Sequence, residues 1–355
     1  RSTEITRRLA DLGGRVFEGH DSQNIQGSDV VVVSSAIPPS NPECLAAKKE
    51  MIPVIPRGEM LAELMRLKYG IAVAGAHGKT TTTWIISYVL QQGGLDPTMV
   101  IGGKLASLGS NARLGQGEFI VAEADESDGS FLRLSPTIAV VTNIDAEHLD
   151  FYNDIQTLKN VFLDFVNKIP FYGVSVLCLD NSGIQEIIPD VEKRFITYGV
   201  SSQADLQARE VRFNGLTSCF QVVHHGEPLG EVCLNLPGLH NVYNAMASIA
   251  VALELGVSFK NTATALNGIE GVQRRMEIKG TRGDVVVVDD YGHHPTEIKM
   301  TLEAIRHSWP ERRLIVVFQP HRYSRTSALF EEFTRSFYQA DDLVVLPIYP
   351  AGEEP

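Results

Sequence analysis

The stretch Gly75-Ala76-His77-Gly78-Lys79-Thr80-Thr81-Thr82-Thr83 joins an apolar run, Ile71 to Ala74, to a run of helical character, Trp84 to Gln92. A strand that enters a helix through a glycine-containing loop predicts phosphate binding, because glycines let backbone N–H groups turn inward and the helix N-terminus is positive. In such a loop Lys79 reaches the outer phosphates and the Thr80 hydroxyl binds Mg²⁺. Val73 replaces the first glycine of a full Walker A pattern, which leaves the shorter form G-x-H-G-K-T. We expect ATP to bind here.

Composition and charge limit the classes of protein to consider. The chain has 355 residues, 44% apolar and 21% charged, which fits a globular protein of two or three domains. Its net charge of −12 argues against nonspecific nucleic-acid binding. No apolar run approaches the roughly 20 residues needed to span a bilayer, and we expect no signal peptide. Phosphate ligands would therefore be attracted by local clusters of Lys, Arg, His and Mg²⁺.

The cysteines predict a reducing environment. Four are present, without C-x-x-C spacing: Cys44, Cys178, Cys219 and Cys233. This pattern favours reduced, mostly buried thiols in a cytoplasmic protein over a disulfide framework or a zinc site.

The alternation of helical and strand-like segments predicts an α/β fold with three domains. Residues 1–69 form a small α/β domain whose first strand we expect to be missing. Residues 70–273 contain continuous apolar runs typical of strands buried in a parallel sheet, followed by β-hairpins with turns at Asn214-Gly215 and His225-Gly226. Residues 274–355 return to the α/β rhythm as a partial Rossmann-like domain, with a helix predicted over residues 327–339.

Two polar loops follow strands of the predicted central sheet. Glu123-Ala124-Asp125-Glu126-Ser127-Asp128 follows one apolar run, and Thr142-Asn143-Ile144-Asp145-Ala146-Glu147-His148-Leu149-Asp150 follows the next. The carboxyl ends of parallel strands meet at one edge of a sheet, and carboxylates there suit Mg²⁺. The position of His148 makes it a candidate metal ligand. The alternatives are a solvated acidic loop and an ordinary surface or core histidine.

Asn241 and Asn244 share one face at the start of a predicted helix. Their amides can read a nucleotide base through paired donors and acceptors. Capping of the helix by Asn241 explains the spacing equally well.

Two clusters lie past strands of the third domain. Asp289-Asp290-Tyr291-Gly292-His293-His294-Pro295 follows one strand, and Gln319-Pro320-His321-Arg322-Tyr323-Ser324-Arg325-Thr326 follows another. Their arginines and histidines form a local cationic cluster in an acidic protein, and Arg suits bidentate recognition of carboxylate or phosphate. The alternative is a solvated charged loop.

Seven motifs in this order resemble the Mur ligases of bacterial peptidoglycan synthesis: G-A-H-G-K-T-T-T-T, A-E-A-D-E-S-D, V-T-N-I-D-A-E-H-L-D, L-H-N-V-Y-N-A, Q-R-R-M, D-D-Y-G-H-H-P-T-E and F-Q-P-H-R-Y-S-R-T. The resemblance implies a three-domain Mur ligase architecture, with a central P-loop ATPase domain flanked by Rossmann-like domains that are apparently truncated at both ends. Within the family, S-S-A-I-P-P and D-D-Y-G-H-H-P favour the addition of L-alanine to UDP-N-acetylmuramate. A murein tripeptide recycling ligase is one alternative. A nucleotide-binding fragment without turnover is another, because the family's opening strand and Gly-rich loop are not found.

The resemblance also implies a reaction and a set of site residues. ATP phosphorylates the muramyl carboxylate to an acyl phosphate, and the amine of L-alanine attacks it to give an amide, ADP and phosphate. The implied catalytic residues are Lys79, Glu123, His148, His293 and Arg325, and the implied Mg²⁺ ligands are Thr80, Glu123 and His148. The implied nucleotide contacts are residues 75–81, Asn241, Asn244, Arg275 and Asp290. The implied substrate contacts are Ser34, Ser35 and Ala36 for the UDP part and Tyr291, His293, His321, Arg322 and Arg325 for the amino acid and the carboxylates. We expect a cytoplasmic monomer or weak homodimer with no nucleic-acid or membrane partner.

Overall fold

A small α/β unit opens the chain. The computed structural model describes residues 3–34, 36–102, 111–127, 129–147 and 149–354. The first elements are α1 (Glu4–Asp11), β1 (Val31–Val33), α2 (Pro42–Lys49), β2 (Val54–Pro56) and α3 (Arg57–Met65). Strands β1 and β2 pair in parallel. The Asn41 side chain caps α2 by accepting a hydrogen bond from the Glu43 amide at 2.9 Å.

A ten-stranded mixed sheet forms the centre of the described molecule, in the order β12-β11-β10-β9-β8-β7-β3-β6-β4-β5. Its strands are β3 (Tyr69–Ala74), β4 (Thr98–Val100), β5 (Ala112–Arg113), β6 (Phe119–Glu123), β7 (Ile138–Val141), β8 (Val174–Cys178), β9 (Phe195–Gly199), β10 (Leu206–Asn214), β11 (Thr217–His224) and β12 (Glu227–Leu234). Neighbours from β4 to β10 are parallel, whereas β5, β11 and β12 pair antiparallel at the edges. The expected parallel pairing is confirmed for the central strands. The expected β-hairpins are strands β10 to β12, which form one antiparallel edge of the sheet.

Helices cover the sheet and bury its apolar runs. They are α4 (Lys79–Gln92), α5 (Leu149–Tyr152), α6 (Ile155–Asn167), α7 (Ser182–Ile187), α8 (Leu239–Glu254) and α9 (Phe259–Asn267). Residues 71–74 of β3 are fully buried. Phe162 and Phe165 of α6 pack their rings against Phe131, at 5.4 and 4.9 Å between centroids. This core holds the carboxyl ends of β3, β6 and β7 side by side.

The last region continues the α/β pattern with two short sheets. Its elements are β13 (Glu277–Arg282), β14 (Val285–Asp289), α10 (Pro295–Ser308), β15 (Ile315–Phe318), α11 (Tyr323–Ala328), α12 (Phe330–Thr334) and β16 (Asp342–Val345). The single helix predicted over residues 327–339 is wrong. Leu329 leaves the helical conformation at φ −112°, and the helix divides there. Leu329 and Phe333 pack against Ile298 and Leu302 of α10, and α12 ends at Thr334, before the predicted end at residue 339.

The cysteines depart from expectation. Cys219 of β11 faces Cys233 of β12 in register, and the two form a disulfide. The expectation of reduced thiols at these positions is wrong, because hairpin register brings together residues whose spacing carried no signal. Cys44 and Cys178 are free and buried. Among the described helices none combines the length and apolar character needed to cross a bilayer.

Candidate active site

The loop Gly75–Lys79, called the phosphate loop below, connects β3 to α4. Gly75 and Gly78 have φ of 132° and 80°, which favour glycine. A Cβ on Gly75 would lie 2.2 Å from Thr142 Oγ1, and one on Gly78 would lie 2.8 Å from Asn244 Oδ1. The His77 amide donates to Asn143 Oδ1 at 2.8 Å, which ties the loop to the end of β7. The phosphate loop is therefore held from both sides in a conformation that requires glycine at positions 75 and 78.

Lys79 is held by a buried carboxylate. Its Nζ donates to Glu126 Oε1 and to the Gly75 carbonyl, each at 2.6 Å. Burial raises the pKa of Glu126 to about 7, and Lys79 opposes this shift. Burial disfavours the charge on Lys79 as well, but Glu126 and Glu123 outweigh it and raise the pKa of Lys79. Lys79 thus remains a cation at the mouth of the phosphate loop.

Thr80 and Glu123 lie together at the ends of the phosphate loop and of β6. The Thr80 hydroxyl donates to the Glu123 carboxylate at 3.0 Å, and the Gly102 amide donates to Glu123 Oε2 at 2.7 Å. This pair of oxygen donors beside the phosphate loop is the donor chemistry that Mg²⁺ prefers. His148, the third expected ligand, lies outside the described residues.

The third region meets the phosphate loop through Asp145. Asp145 Oδ2 accepts from His77 Nε2 at 3.0 Å and from Thr296 Oγ1 of α10 at 2.7 Å. The hydrogen bond from His77 holds the pKa of Asp145 well below its usual range. Burial disfavours charge on His77, but Asp145 and Glu297 outweigh it and raise the pKa of His77 to about 9. The phosphate loop and α10 are therefore joined by a charged, mostly buried contact.

Glu147 lies close to two of the expected catalytic residues, His293 and Arg325. His293 Nε2 and Arg325 Nη2 each lie 3.8 Å from Glu147 Oε1, and Glu147 is buried. The ring of His321 lies 6.3 Å from that of His293. The Tyr291 ring lies 5.3 Å from that of His293 and contacts Arg275 at 5.4 Å. The cationic residues of the third region thus face the loop that follows β7.

A cavity of about 230 Å³ opens beside the phosphate loop. Eight residues expected to bind nucleotide or metal line it: His77, Gly78, Thr80, Thr81, Asn241, Asn244, Arg275 and Asp290. Its remaining wall combines polar side chains with the apolar ones of Leu236, Val272, Met276 and Met300. Lys79 is not part of the lining, because its amino group is turned towards Glu126.

The two asparagines and Asp290 already have partners within the chain. Asn244 Oδ1 accepts from Thr82 Oγ1 at 2.9 Å, and its Nδ2 donates to Asn241 Oδ1 at 3.2 Å. Asn241 Nδ2 donates to the Pro237 carbonyl at 2.7 Å. Asp290 accepts from the Met276 and Gly292 amides, each at 2.8 Å. Asn244 therefore supports the phosphate loop from behind, in addition to lining the cavity.

Other expected substrate residues lie away from this cavity. Ser34 and Ala36 are exposed in a turn after β1, and Ser35 lies outside the described residues. Arg322 is exposed, and its backbone amide donates to the Tyr349 carbonyl at 2.9 Å.

Sequence reasoning gave no individual role to four carboxylates that organise the site: Glu126, Asp145, Glu147 and Glu297. Three of them lie in the loops after β6 and β7. The sequence predicted a ligand site in these loops but gave these three residues no separate roles. Glu297 completes a capping box at the start of α10, where its carboxylate accepts from the His294 amide at 3.3 Å and also from the His293 amide at 2.9 Å. Burial opposes its charge, but His77, His293 and Arg275 outweigh it and hold the pKa of Glu297 well below its usual range.

The chain belongs to the Mur ligase family. The Mur ligase middle domain matches residues 73–252, the Mur ligase glutamate ligase domain matches 274–355, and the Mur ligase family catalytic domain matches 1–69. The expected family and the α/β Mur ligase fold are confirmed.

Three similar proteins are named as ligases of UDP-N-acetylmuramate. The UDP-N-acetylmuramate–L-alanine ligase of Desulfatibacillum aliphaticivorans is 65% identical over all of this chain and 78% of its own length. The UDP-N-acetylmuramate–alanine ligase structure from Thermotoga maritima has a TM-score of 0.82 at 28% identity, over 98% of this chain and 78% of that chain. The UDP-N-acetylmuramate:L-alanyl-γ-D-glutamyl-meso-diaminopimelate ligase from Neisseria meningitides has a TM-score of 0.69 at 28% identity, over 77% of this chain and 89% of that chain.

Proposed function

We propose that this protein uses ATP to join L-alanine to the lactyl carboxylate of UDP-N-acetylmuramate, with release of ADP and phosphate, in the synthesis of peptidoglycan precursors. The observation that carries the proposal is the 65% identity, across the whole chain, to a ligase with this name. The meeting of the phosphate loop, the Thr80–Glu123 pair and the cationic residues of the third region supports it.

The proposed reaction has two steps at one site: transfer of a phosphoryl group to the carboxylate, and transfer of the resulting acyl group to the amine. A carboxylate oxygen of the sugar substrate attacks the γ-phosphorus, the bond to ADP breaks, and an acyl phosphate forms. The amine of L-alanine then attacks the carbonyl carbon, the tetrahedral intermediate expels phosphate, and the amine loses its proton. Lys79 stabilises negative charge on the transferred group, as a cation placed at the outer phosphates does. For this the triphosphate must replace Glu126 as the partner of Lys79.

We assign one Mg²⁺ to Thr80 and Glu123, and a second Mg²⁺ to Glu123 and His148. A hydroxyl and a carboxylate 3.0 Å apart at the start of α4 fit a hard dication next to phosphates. When bound, Mg²⁺ neutralises phosphate charge and orients the reacting oxygens.

The other substrates are assigned to the residues around the cavity and Glu147. The nucleotide is bound by the phosphate loop, Thr80 and Thr81, with Asn241, Asn244, Arg275 and Asp290 around its base, ribose and phosphates. His293 and Arg325 reach the reacting carboxylates, because both lie 3.8 Å from Glu147 in the loop that follows β7. Tyr291, His321 and Arg322 border the amino acid and the substrate carboxylates, and Ser34, Ser35 and Ala36 border the UDP part. We also propose the domain limits 1–69, 70–273 and 274–355, and cytoplasmic action on small-molecule substrates.

One assay separates this function from its alternatives. Phosphate release is measured with ATP, Mg²⁺ and UDP-N-acetylmuramate, and with either L-alanine or the tripeptide L-alanyl-γ-D-glutamyl-meso-diaminopimelate as the amine. Phosphate release with L-alanine but not with the tripeptide supports the proposal. Preference for the tripeptide would assign the recycling reaction instead. Nucleotide binding without release with either amine would leave only a nucleotide-binding role.

A further inference from the structure

Three possible metal ligands from separate segments converge beside the nucleotide cavity. They are His77 in the phosphate loop, Asp145 after β7, and His294 at the start of α10, and one ligand atom from each lies within 4.8 Å of the others. His77 Nε2 is 3.0 Å and His294 Nδ1 is 3.9 Å from Asp145 Oδ2. Ligand atoms about 2.0–2.1 Å from a tetrahedral zinc ion are about 3.3–3.5 Å apart, so small side-chain rotations suffice to bind one.

Two hydrogen bonds in this cluster occupy the atoms that a metal ion would bind: His77 Nε2 donates to Asp145, and His294 Nδ1 is an acceptor. His294 Nδ1 accepts a long hydrogen bond from the Thr296 amide at 3.3 Å, so this nitrogen carries no proton. To bind a metal ion, the lone pair of this nitrogen would have to leave the Thr296 amide, and Nδ1 lies 3.9 Å from the negatively charged Asp145 carboxylate. Only 7% of His77 and 3% of His294 is exposed. A metal ion between these atoms would replace the proton on His77 Nε2 and the Thr296 hydrogen bond to His294, in a mostly buried place.

Two buried ring nitrogens support the same interpretation. His77 Nδ1 and His294 Nε2 have no hydrogen-bond partner among the residues that the structure describes. Glu297 Oε1 lies 3.7 Å from His77 Nδ1, close enough to accept its hydrogen after a small movement. A carboxylate behind a ligating imidazole fixes the ring and raises its basicity, and such outer partners are usual at metal sites.

We propose that His77, Asp145 and His294 form a binding site for a transition-metal dication of the zinc class, and that the ion ties the phosphate loop to the third region. Two imidazoles and one carboxylate favour zinc over magnesium, which prefers oxygen ligands. The site is thus chemically distinct from the Thr80–Glu123 pair. Binding displaces the proton that His77 Nε2 donates to Asp145, as metal ligation of histidine requires.

The test uses Co²⁺ as a spectroscopic probe for zinc. The whole chain is titrated with Co²⁺ in a large excess of Mg²⁺, so that sites of oxygen ligands are filled, and visible absorption is recorded. We expect one Co²⁺ per chain with the intense absorption of a low-coordinate site, and its displacement by stoichiometric Zn²⁺. Glu123→Gln, which alters the expected Mg²⁺ site, should leave the absorption unchanged.

Variants of the three ligands decide the assignment. His294→Gln and Asp145→Asn should each abolish the absorption, and Glu297→Gln, behind His77, should weaken Zn²⁺ binding by about 10–100-fold. His225→Gln, at an exposed histidine of the β11–β12 turn, is the matched control and should bind Co²⁺ as the wild type does. Because a variant can lose binding by misfolding, each is compared with wild type by circular dichroism, and only folded variants are scored. Absence of Co²⁺ absorption in the wild type, or its persistence in both ligand variants, would overturn the proposal.

Discussion

Replacing Asp145 by Asn should remove most of the pH dependence of stability between pH 7 and pH 9. The pKa of His77 is raised from its ordinary 6.5 to about 9 in the folded protein. A raised histidine pKa stabilises the folded state fully below pH 6.5, and this stabilisation is lost as the pH rises through 9. A shift of this size corresponds to about 3 kcal/mol, of which about 2 kcal/mol disappears between pH 7 and pH 9.

The structure assigns much of this effect to Asp145. Its carboxylate accepts from His77 at 3.0 Å, and His77 is buried, so solvent screens their interaction weakly. The Asn side chain keeps an oxygen for Thr296 but carries no charge. Asp145→Asn should therefore lower the free energy of unfolding by about 2 kcal/mol at pH 7 and by much less at pH 9.

Urea unfolding at both pH values measures this difference. Fluorescence of Trp84 in α4 and of Trp309 after α10 reports on the central and third regions separately when each is replaced in turn. Groups present in both proteins, such as Cys178, contribute equally to the pH dependence of the two proteins, so their contributions cancel in the comparison. His225→Gln should keep the wild-type dependence. The reasoning is refuted if Asp145→Asn and wild type lose equal stability between pH 7 and pH 9.

Three further predictions follow from the site and the core. Lys79→Ala or Glu123→Ala should lower phosphate release by orders of magnitude, because the first removes the cation at the transferred group and the second removes a proposed Mg²⁺ ligand, and a near wild-type rate would contradict the assignment. Gly78→Ala should weaken ATP binding in calorimetry, since its Cβ would meet Asn244 at 2.8 Å. Gly215→Ala, also at positive φ but with open space, should bind ATP normally. Phe162→Ala should cost about 3–5 kcal/mol in urea unfolding, whereas Phe171→Ala, 90% exposed, should cost less than about 0.5 kcal/mol; equal losses would argue against the packing described.

Several features of the site could be predicted because their cause is local. Gly75 and Gly78 allow the phosphate loop to turn, and α4 begins directly at Lys79. Glu123 stands at the end of β6, where the end of a buried apolar run predicted a ligand position. The Asn241–Asn244 pair was correctly placed on one helix face, but its hydrogen bonds to Thr82 and Pro237 were not foreseen.

Features that depend on packing between distant segments escaped prediction. The helix expected over residues 327–339 is interrupted at Leu329 and ends at Thr334, and this segment packs against α10 through Leu329 and Phe333. Cys219 and Cys233 form a disulfide because the hairpin register places them opposite each other. Neither residue spacing nor helical propensity contains this information.

The sequence alone determined the phosphate loop, the α/β class and the family, because backbone preferences and apolar periodicity act over a few neighbouring residues and the ordered motifs are specific. Tertiary structure alone decided which charges meet. Lys79 pairs with Glu126, and Asp145 accepts hydrogen bonds from His77, 68 positions before it, and from Thr296, 151 positions after it. Such contacts follow from the path of the chain through the sheet and from the burial that strengthens each charge pair, and no short stretch of residues encodes either one.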